Sequence, residues 1–250
     1  MGNDYRNKIK ITGSKESIRK IKDMFINEEG EADFNKVIPV PDCLRINSSG
    51  ADSIMSCPED KFVAHYILSL PQGERENVLI RLMSVSYRNY DNYFEKISRT
   101  IKETGAIPSP ELKMLSERFF DGMSYTEIGR KYLCNMLMYG SLTWYEWCYR
   151  NWGTCWNARE TRVKDNEITF ETTNSGAAPV VHHIARMFPE VKIEYGYGDI
   201  CNPGCYCEYY AFKGEEISEY RMYGNGDKDG MEFTCSFLGF KVENDDTIWD

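Results

Sequence analysis

The chain has 250 residues, of which 42% are hydrophobic and 28% are charged, and its formal net charge is −9. These proportions argue against extensive disorder, and the excess of acid disfavours a protein that binds the nucleic-acid backbone through clustered Lys and Arg. With no signal-peptide pattern and no apolar run of about 20 residues, the sequence predicts a cytoplasmic protein without membrane contact. Its nine cysteines are expected to stay reduced.

The first 55 residues are predicted to open a sheet. Lys8 to Thr12 alternates isoleucine with polar residues, as a half-buried strand does, and Gly13 and Ser14 then favour the start of a helix. Phe34 to Val40 is predicted as a second strand, which ends at prolines that cannot donate to a sheet ladder. Residues 1–55 therefore predict a β-α-β segment.

Residues 56–140 show helical patterns and no convincing strand. Apolar residues recur there at helical spacing, and some stretches begin with a capping pair, such as Ser124 with Glu127 three positions later. The segment is predicted to be a large helical insertion, with helices through residues 62–70, 78–83, 93–101, 112–119 and 128–139.

The segment from Trp144 to Trp156 contains four of the five tryptophans and is the best candidate for a binding site. Thr143 and Glu146 form a capping-box pattern, which predicts a short helix that starts at Trp144. Aromatic rings can stack on bases and arginine can hold a phosphate, and the same residue types dominate protein interfaces. The predicted binding residues are Tyr145, Tyr149, Arg150, Trp152 and Arg159. The alternative is that the tryptophans, above all Trp144, Trp147 and Trp156, pack the helices against the sheet.

Residues 141–250 are predicted to return to strands and complete the sheet. Alternating patterns and turn residues predict strands over residues 162–164, 168–172, 191–197, 206–212 and 217–223, with one helix before Pro189. Phe233 to Val242 is predicted as a further strand, followed by an acidic tail. From Glu215 to Asp250 the chain has ten acids and three bases, so this end favours a basic partner, although acids also keep a surface hydrated.

The sequence contains a cysteine cluster but no catalytic motif. Cys201, Cys205 and Cys207 are weak candidates for metal ligands, because a fourth ligand would have to come from elsewhere and core packing explains two of them equally well. No nucleophile elbow, phosphate loop or zinc-protease motif is present, so neither a cofactor nor an enzymatic activity is predicted. A carboxylate-based or thiol-based enzyme stays open as an alternative.

Four segments, in this order along the chain, resemble the YubB-type ferredoxin-like family of phage and plasmid proteins. They are Phe34 to Pro41, Trp144 to Ala158, Ile168 to Thr172, and Ala178 to Pro189. The resemblance implies an α+β fold, in which a ferredoxin-like antiparallel sheet is assembled from both ends of the chain around inserted helices. It also implies a source in a mobile element, and it supplies no catalytic residue. Where the family continues into a Trp-Ser-Pro-Pro-like turn, this chain has Thr173 to Pro179 instead.

Two functions compete on this basis. The first is a non-enzymatic protein that binds and inhibits a host protein, such as a defence nuclease with a basic surface. The acidic residues expected to meet that surface are Asp245, Asp246 and Asp250. The alternative is a protein that binds a nucleotide or single-stranded nucleic acid through the tryptophan-rich segment.

Overall fold

The computed structural model describes residues 3–46, 58–89, 93–105 and 123–240, together with positions 110, 113, 114 and 117. The chain divides into two compact units. Met1–Pro39 and Cys148–Asp250 form a sheet unit, and Val40–Trp147 forms a helical unit. None of the helices in the described part of the chain is long and apolar enough to cross a membrane.

The sheet unit is built on six antiparallel strands in the order β2-β3-β1-β4-β5-β6. The strands are β1 (Asp4–Thr12), β2 (Arg159–Lys164), β3 (Glu167–Thr173), β4 (Lys192–Asp199), β5 (Cys207–Lys213) and β6 (Glu216–Tyr223). The prediction of an antiparallel sheet within a mixed α and β fold is confirmed. The N-terminal strand β1 lies in the interior of the sheet, between two strands from the far end of the chain.

One face of the sheet is covered by helices α1 (Lys15–Phe25), α2 (Phe34–Val37) and α8 (Ala178–Met187). The Ser14 side chain begins α1 by accepting a hydrogen bond from the Ser17 N–H, 3.1 Å away. The rings of Phe25 and Phe34 both meet Phe170 of β3, each with its centroid 5.8 Å away. These contacts form the aromatic centre of the sheet unit's core.

The prediction of a strand from Phe34 to Val40 was wrong. Asp33 caps a short helix there, accepting a hydrogen bond from the Asn35 N–H at 2.9 Å. Because Phe34 is fully buried, the segment packs by a single aromatic anchor rather than by ladder pairing. The opening is therefore β1-α1-α2 and not β-α-β.

The second face of the sheet is covered, over β4 to β6, by helix α9 (Lys228–Ser236) and the residues after it. Phe233 and Phe237 stack on each other one helical turn apart, with ring centroids 5.4 Å apart. A strand from Phe233 was therefore a wrong prediction as far as the described chain extends, because both rings face the sheet at helical spacing. Gly196 permits this approach, since a Cβ there would lie 2.5 Å from the Phe233 ring.

A buried polar network ties β1 to the N-terminal end of α8. The Asn7 side chain donates to Thr172 Oγ1 (2.8 Å) and accepts from the Tyr195 hydroxyl (2.6 Å) and the Ala177 N–H (3.2 Å). Asn7 is fully buried, so these bonds supply the partners that water would otherwise provide. The burial also raises the pKa of Tyr195 well above its ordinary value, which keeps the hydroxyl a donor.

The helical unit contains α3 (Pro58–Ser69), α4 (Gln72–Asn89), α5 (Tyr93–Thr104) and α6 (Tyr125–Tyr139), preceded by a 3-10 turn (Asp42–Leu44). Ser124 and Glu127 form the predicted capping box of α6, and Gly140 ends the helix with a φ of 64°. Apolar side chains of α3, α5 and α6, including Phe62, Ile97 and Tyr132, form a separate core. Most of the helix predicted through 112–119 lies outside the described residues.

Candidate functional site

The tryptophan-rich segment forms helix α7 (Trp144–Trp152), which begins at the predicted residue. The Glu146 carboxylate accepts a hydrogen bond from the Leu142 N–H at 2.9 Å, so it binds the backbone at the start of the helix. Tyr145 is half-buried against Trp144, with ring centroids 5.8 Å apart. The Tyr149 hydroxyl accepts from Asn174 Nδ2 at 2.9 Å, and Arg150 is exposed.

The structure contradicts the assignment of Trp152 to a binding face. Only 3% of Trp152 is exposed, its indole N–H donates to the Ile38 carbonyl at 2.9 Å, and its ring meets Phe34 edge-on. For Trp156 the reverse holds: it was expected to pack against the sheet, but 46% of it is exposed. The burial of Trp152 depends on Phe34 of α2, a helix that the sequence pattern did not predict.

Arg159 is the remaining predicted binding residue that the structure describes. Arg159 lies on β2, where it pairs with Asp4 and lies 3.9 Å from a Glu171 carboxylate oxygen, so neighbouring acids offset its charge. The acidic residues predicted to meet a partner, Asp245, Asp246 and Asp250, lie outside the described residues.

The three cysteines of the predicted cluster differ in their exposure and bonding. Cys201 is exposed, whereas the Cys205 thiol is buried and donates to Asn225 Oδ1 at 2.8 Å. Burial raises the pKa of Cys207 to about 11, so its thiol stays protonated at neutral pH. Throughout the described ranges, no group of three or more metal-binding side chains comes together.

The exposed edge of the sheet at β6 has the features of an interaction site. β6 is the last strand of the sheet, and in the described structure its ladder partner is β5 alone. An outermost strand presents backbone N–H and C=O groups that another chain can pair with. Six of its eight residues are exposed along the strand.

Three apolar side chains project from β6 into solvent. Ile217, Tyr220 and Met222, which we call the β6 row, are 47%, 51% and 68% exposed. Their register against Phe212, Tyr210 and Glu208 places them on the sheet face that carries α8. The helix covers β5, where His182 stacks on Phe212 at 5.0 Å, but it leaves the β6 row uncovered.

The aromatic side chains beside the β6 row are held in place by neighbours. The Tyr210 ring stacks on Phe212 at 5.5 Å and lies 4.9 Å from the Tyr220 ring. Its hydroxyl donates to Glu208, and burial together with this bond raises the pKa of Tyr210. A partner would therefore meet a preformed, uncharged aromatic floor.

The opposite edge of the sheet is protected by contrast. On β2 the Thr161 N–H donates to the Glu31 carboxylate at 2.9 Å, and the Thr161 hydroxyl accepts from the Ala32 N–H at 2.9 Å. The ladder to β3 also shifts register between Arg159 and Arg162, and Glu160 adopts a φ of 52°. The ladder of β6 to β5 also shifts register, between Ala211 and Phe212, so the feature that distinguishes the two edges is the capping of β2 by Glu31.

Acids outnumber bases on β6 itself. Glu215, Glu216 and Glu219 lie at this edge, with Arg221 as the base on the strand. Arg186 pairs with Glu215 at 3.2 Å, and Arg221 donates to Glu219 through Nε at 2.8 Å.

Sequence reasoning placed strand β6 correctly but did not single out its exposed edge as a candidate site. The available signal was the set of apolar residues on a strand whose remaining residues are charged or polar.

Comparison with known proteins identifies no family. A scan against protein-family models found no match, and a search of curated proteins found no match either. One solved structure, the crystal structure of the protein api92 from Yersinia pseudotuberculosis, of the family DUF1281, covers 91% of this chain and 100% of its own. The identity is 12% and the TM-score is 0.41, a likeness from which no function follows.

Proposed function

We propose that the protein is a non-enzymatic interaction protein that binds an extended segment of a partner protein along β6. The observation that carries this proposal is the contrast between the two edges of the sheet. β2 is capped by Glu31, whereas β6, within the described residues, presents its backbone together with the exposed β6 row. Natural proteins usually protect their edge strands, so an edge that exposes three apolar side chains in the described part of the chain calls for a functional explanation.

The mode of binding is strand addition. Backbone hydrogen bonds to β6 supply affinity, and the alternate side chains of the added strand supply specificity. Every second side chain of the partner would pack on the β6 row, and the intervening ones would face Glu216, Glu219 and Arg221 on the other side of the sheet. The segment that fits best alternates apolar residues with Lys or Arg.

The partner in this proposal is another protein and not a second copy of this chain. An antiparallel pair of β6 strands would bring together two copies of Glu215, Glu216 and Glu219, which are six acids, and two copies each of Arg221 and Arg186, which are four bases. Like charges facing each other across strands are destabilising, so self-pairing is disfavoured. A basic segment removes that repulsion.

The test is selection from a library of random peptides long enough to span β6, with the wild type and two variants as targets. We expect selected peptides to alternate apolar with basic residues, because both faces of β6 then find partners. Met222→Lys should weaken binding by about tenfold or more, since the apolar burial is lost and a like charge is added. Val163→Lys, at an exposed position of β2, is the matched control and should bind as the wild type does.

Amide hydrogen exchange on the bound complex gives an independent measurement. The selected peptide should slow exchange along β6 and leave β2 unchanged. Peptides that lack the alternating pattern, or that bind Met222→Lys and wild type equally, would overturn the proposal. So would a dimer in sedimentation equilibrium that Met222→Lys dissociates, because β6 would then belong to a self-interface.

The arrangement of four strands supports a further part of the proposal, a ferredoxin-like core. The order β2-β3-β1-β4, with α1 following β1 and α8 joining β3 to β4, is the pattern of two split β-α-β units. In this proposal β5 and β6 extend the core on one side and create the exposed edge. Origin in a phage or plasmid, and inhibition of a host defence nuclease, remain predictions from the sequence resemblance.

Nucleotide or single-stranded nucleic-acid binding through the tryptophan-rich segment stays a prediction from the sequence. The burial of Trp152 removes one of the rings expected to stack on a base, whereas Tyr145 and Tyr149 are half-buried and Arg150 is exposed.

A further inference from the structure

A pocket in the helical unit lies between the 3-10 turn and the outer side of α6. Its volume is about 490 Å³, within the range of small-molecule sites. The residues that α6 contributes recur at helical spacing, from Arg130 through Cys134 to Met138, so one face of the helix forms one wall. The core side of the same helix is occupied by Ile128, Tyr132 and Met136, which leaves this face available.

The pocket carries positive charge in a protein of net charge −9. Arg45, Arg130 and Lys131 line it, and Asp42 is the single acid among the lining residues. The Asp42 side chain pairs with Arg45 at 3.4 Å, so the excess positive charge of the pocket comes from Arg130 and Lys131. The remaining walls include the adaptable side chains of Met123 and Met138, and the Met123 sulfur accepts a hydrogen bond from Lys131 Nζ at 3.1 Å.

Asn135 gives the pocket a polar floor. The residue is 2% exposed, and both N–H groups of its side-chain amide are used, donating to the carbonyls of Cys43 (2.9 Å) and Leu142 (3.0 Å). Its Oδ1 accepts no hydrogen bond within the described structure. Because Asn135 lines the pocket, its Oδ1 is the side-chain acceptor that remains for a ligand that carries a donor.

We infer that this pocket binds a nucleotide whose base carries an amino group. The base amino group donates to Asn135 Oδ1, the base lies against Met123 and Met138, and the phosphates contact Arg130 and Lys131. Each requirement corresponds to a feature of the pocket: an acceptor at the floor, apolar walls and excess positive charge. The site uses residues of the helical unit alone, so it is independent of the proposed strand addition at β6.

The test is isothermal titration of the full chain with ADP, CDP, GDP and UDP, and with inorganic phosphate and pyrophosphate. At least one of the three amino-bearing nucleotides should bind about tenfold more tightly than UDP and than either anion. Arg130→Gln should weaken binding of that nucleotide about tenfold. Arg81→Gln, at an exposed position of α4, is the matched control and should leave the affinity unchanged.

A second measurement needs no variant. Cys134 lines the pocket and is exposed, as is Cys201 in the sheet unit. The nucleotide that binds best should slow alkylation of Cys134 several-fold and leave Cys201 unaffected, as followed by mass spectrometry. Absence of nucleotide binding up to millimolar concentration would overturn the inference. Equal affinity for pyrophosphate and nucleotide would do so too, and so would equal losses in Arg130→Gln and Arg81→Gln.

Discussion

Asp60 in α3 is a buried acid whose charge is only partly compensated. The residue is 4% exposed, and Lys96 Nζ lies 2.5 Å from its Oδ2. Burial raises the pKa of Asp60, and the Lys96 contact opposes that rise without cancelling it. The folded protein therefore binds a proton at this carboxyl more readily than the unfolded chain does.

This difference sets the sign of a pH effect. When the pKa of a carboxyl is higher in the folded protein than in the unfolded chain, the carboxyl stabilises the fold fully at pH values below its unfolded-state pKa. This stabilisation is lost as the pH rises through the folded-state pKa. Asp60→Asn removes this titrating carboxyl. As the pH falls from about 7 to about 4, the wild type should therefore gain stability relative to the variant. The measurement is the urea midpoint of unfolding across that range, followed by exchange of the α3 amides.

Glu127 provides a control of opposite sign. Hydrogen bonds from the Ser124 backbone N–H and side chain lower the pKa of Glu127, so its contribution is lost as the pH falls. Glu127→Gln should therefore reduce the loss of stability on acidification. Parallel pH profiles for wild type and Asp60→Asn would contradict the account of Asp60.

Single residues also show which features of the fold and of the candidate site were predictable from the sequence. Ser14 and Ser124 cap helices as expected, because a cap is decided by residues within one turn. The fate of Trp152 could not be predicted in the same way. Its indole N–H bonds to Ile38, 114 positions away, and a contact at that separation leaves no local pattern.

At the scale of elements, the contact between α3 and α6 depends on Gly129. A Cβ at this position would lie 2.0 Å from the Phe62 carbonyl oxygen and 2.8 Å from Tyr66 Cβ. Neither neighbour is the end of a flexible chain, so the helices would have to separate.

Gly129→Ala should therefore destabilise the helical unit by about 1–3 kcal/mol, despite the better helix propensity of alanine. Gly73→Ala in α4 is the control, since nothing lies within 4 Å of its added Cβ, and it should be neutral or slightly stabilising. Thermal unfolding of both variants decides the point. A Gly129→Ala protein as stable as the wild type would mean that the helices approach less closely than described.

Strands with alternating apolar and polar residues were predicted well, whereas short helices that pack through buried aromatic rings were not. The strands β3 to β6 were placed nearly to the residue, because alternation and turn residues both mark them. The segments at Phe34 and Phe233 were predicted as strands from apolar content alone. Both are helices, since burial of particular rings outweighs local propensity there.

For the whole molecule, two separate cores imply that damage should stay local. Tyr195→Phe removes a hydroxyl that both donates to Asn7 and accepts from Ala177, and should cost the sheet unit about 1–3 kcal/mol. Amide exchange should accelerate in β1 and β4 and stay unchanged in α3 and α6. Gly129→Ala should show the reverse pattern. Uniform acceleration in either variant would mean that the two units unfold as one.

The interior position of β1 has a consequence for biosynthesis. Asn7 and its partner Thr172 lie 165 positions apart, with the helical unit Val40–Trp147 encoded between them. At about 5–20 residues per second, a ribosome needs on the order of ten seconds or more to supply the strands that flank β1. The helical unit, which is continuous in sequence, can fold during that interval while β1 waits with both edges unpaired. β1 is thus made well before the two strands that pair with it, and its place in the sheet is secured late.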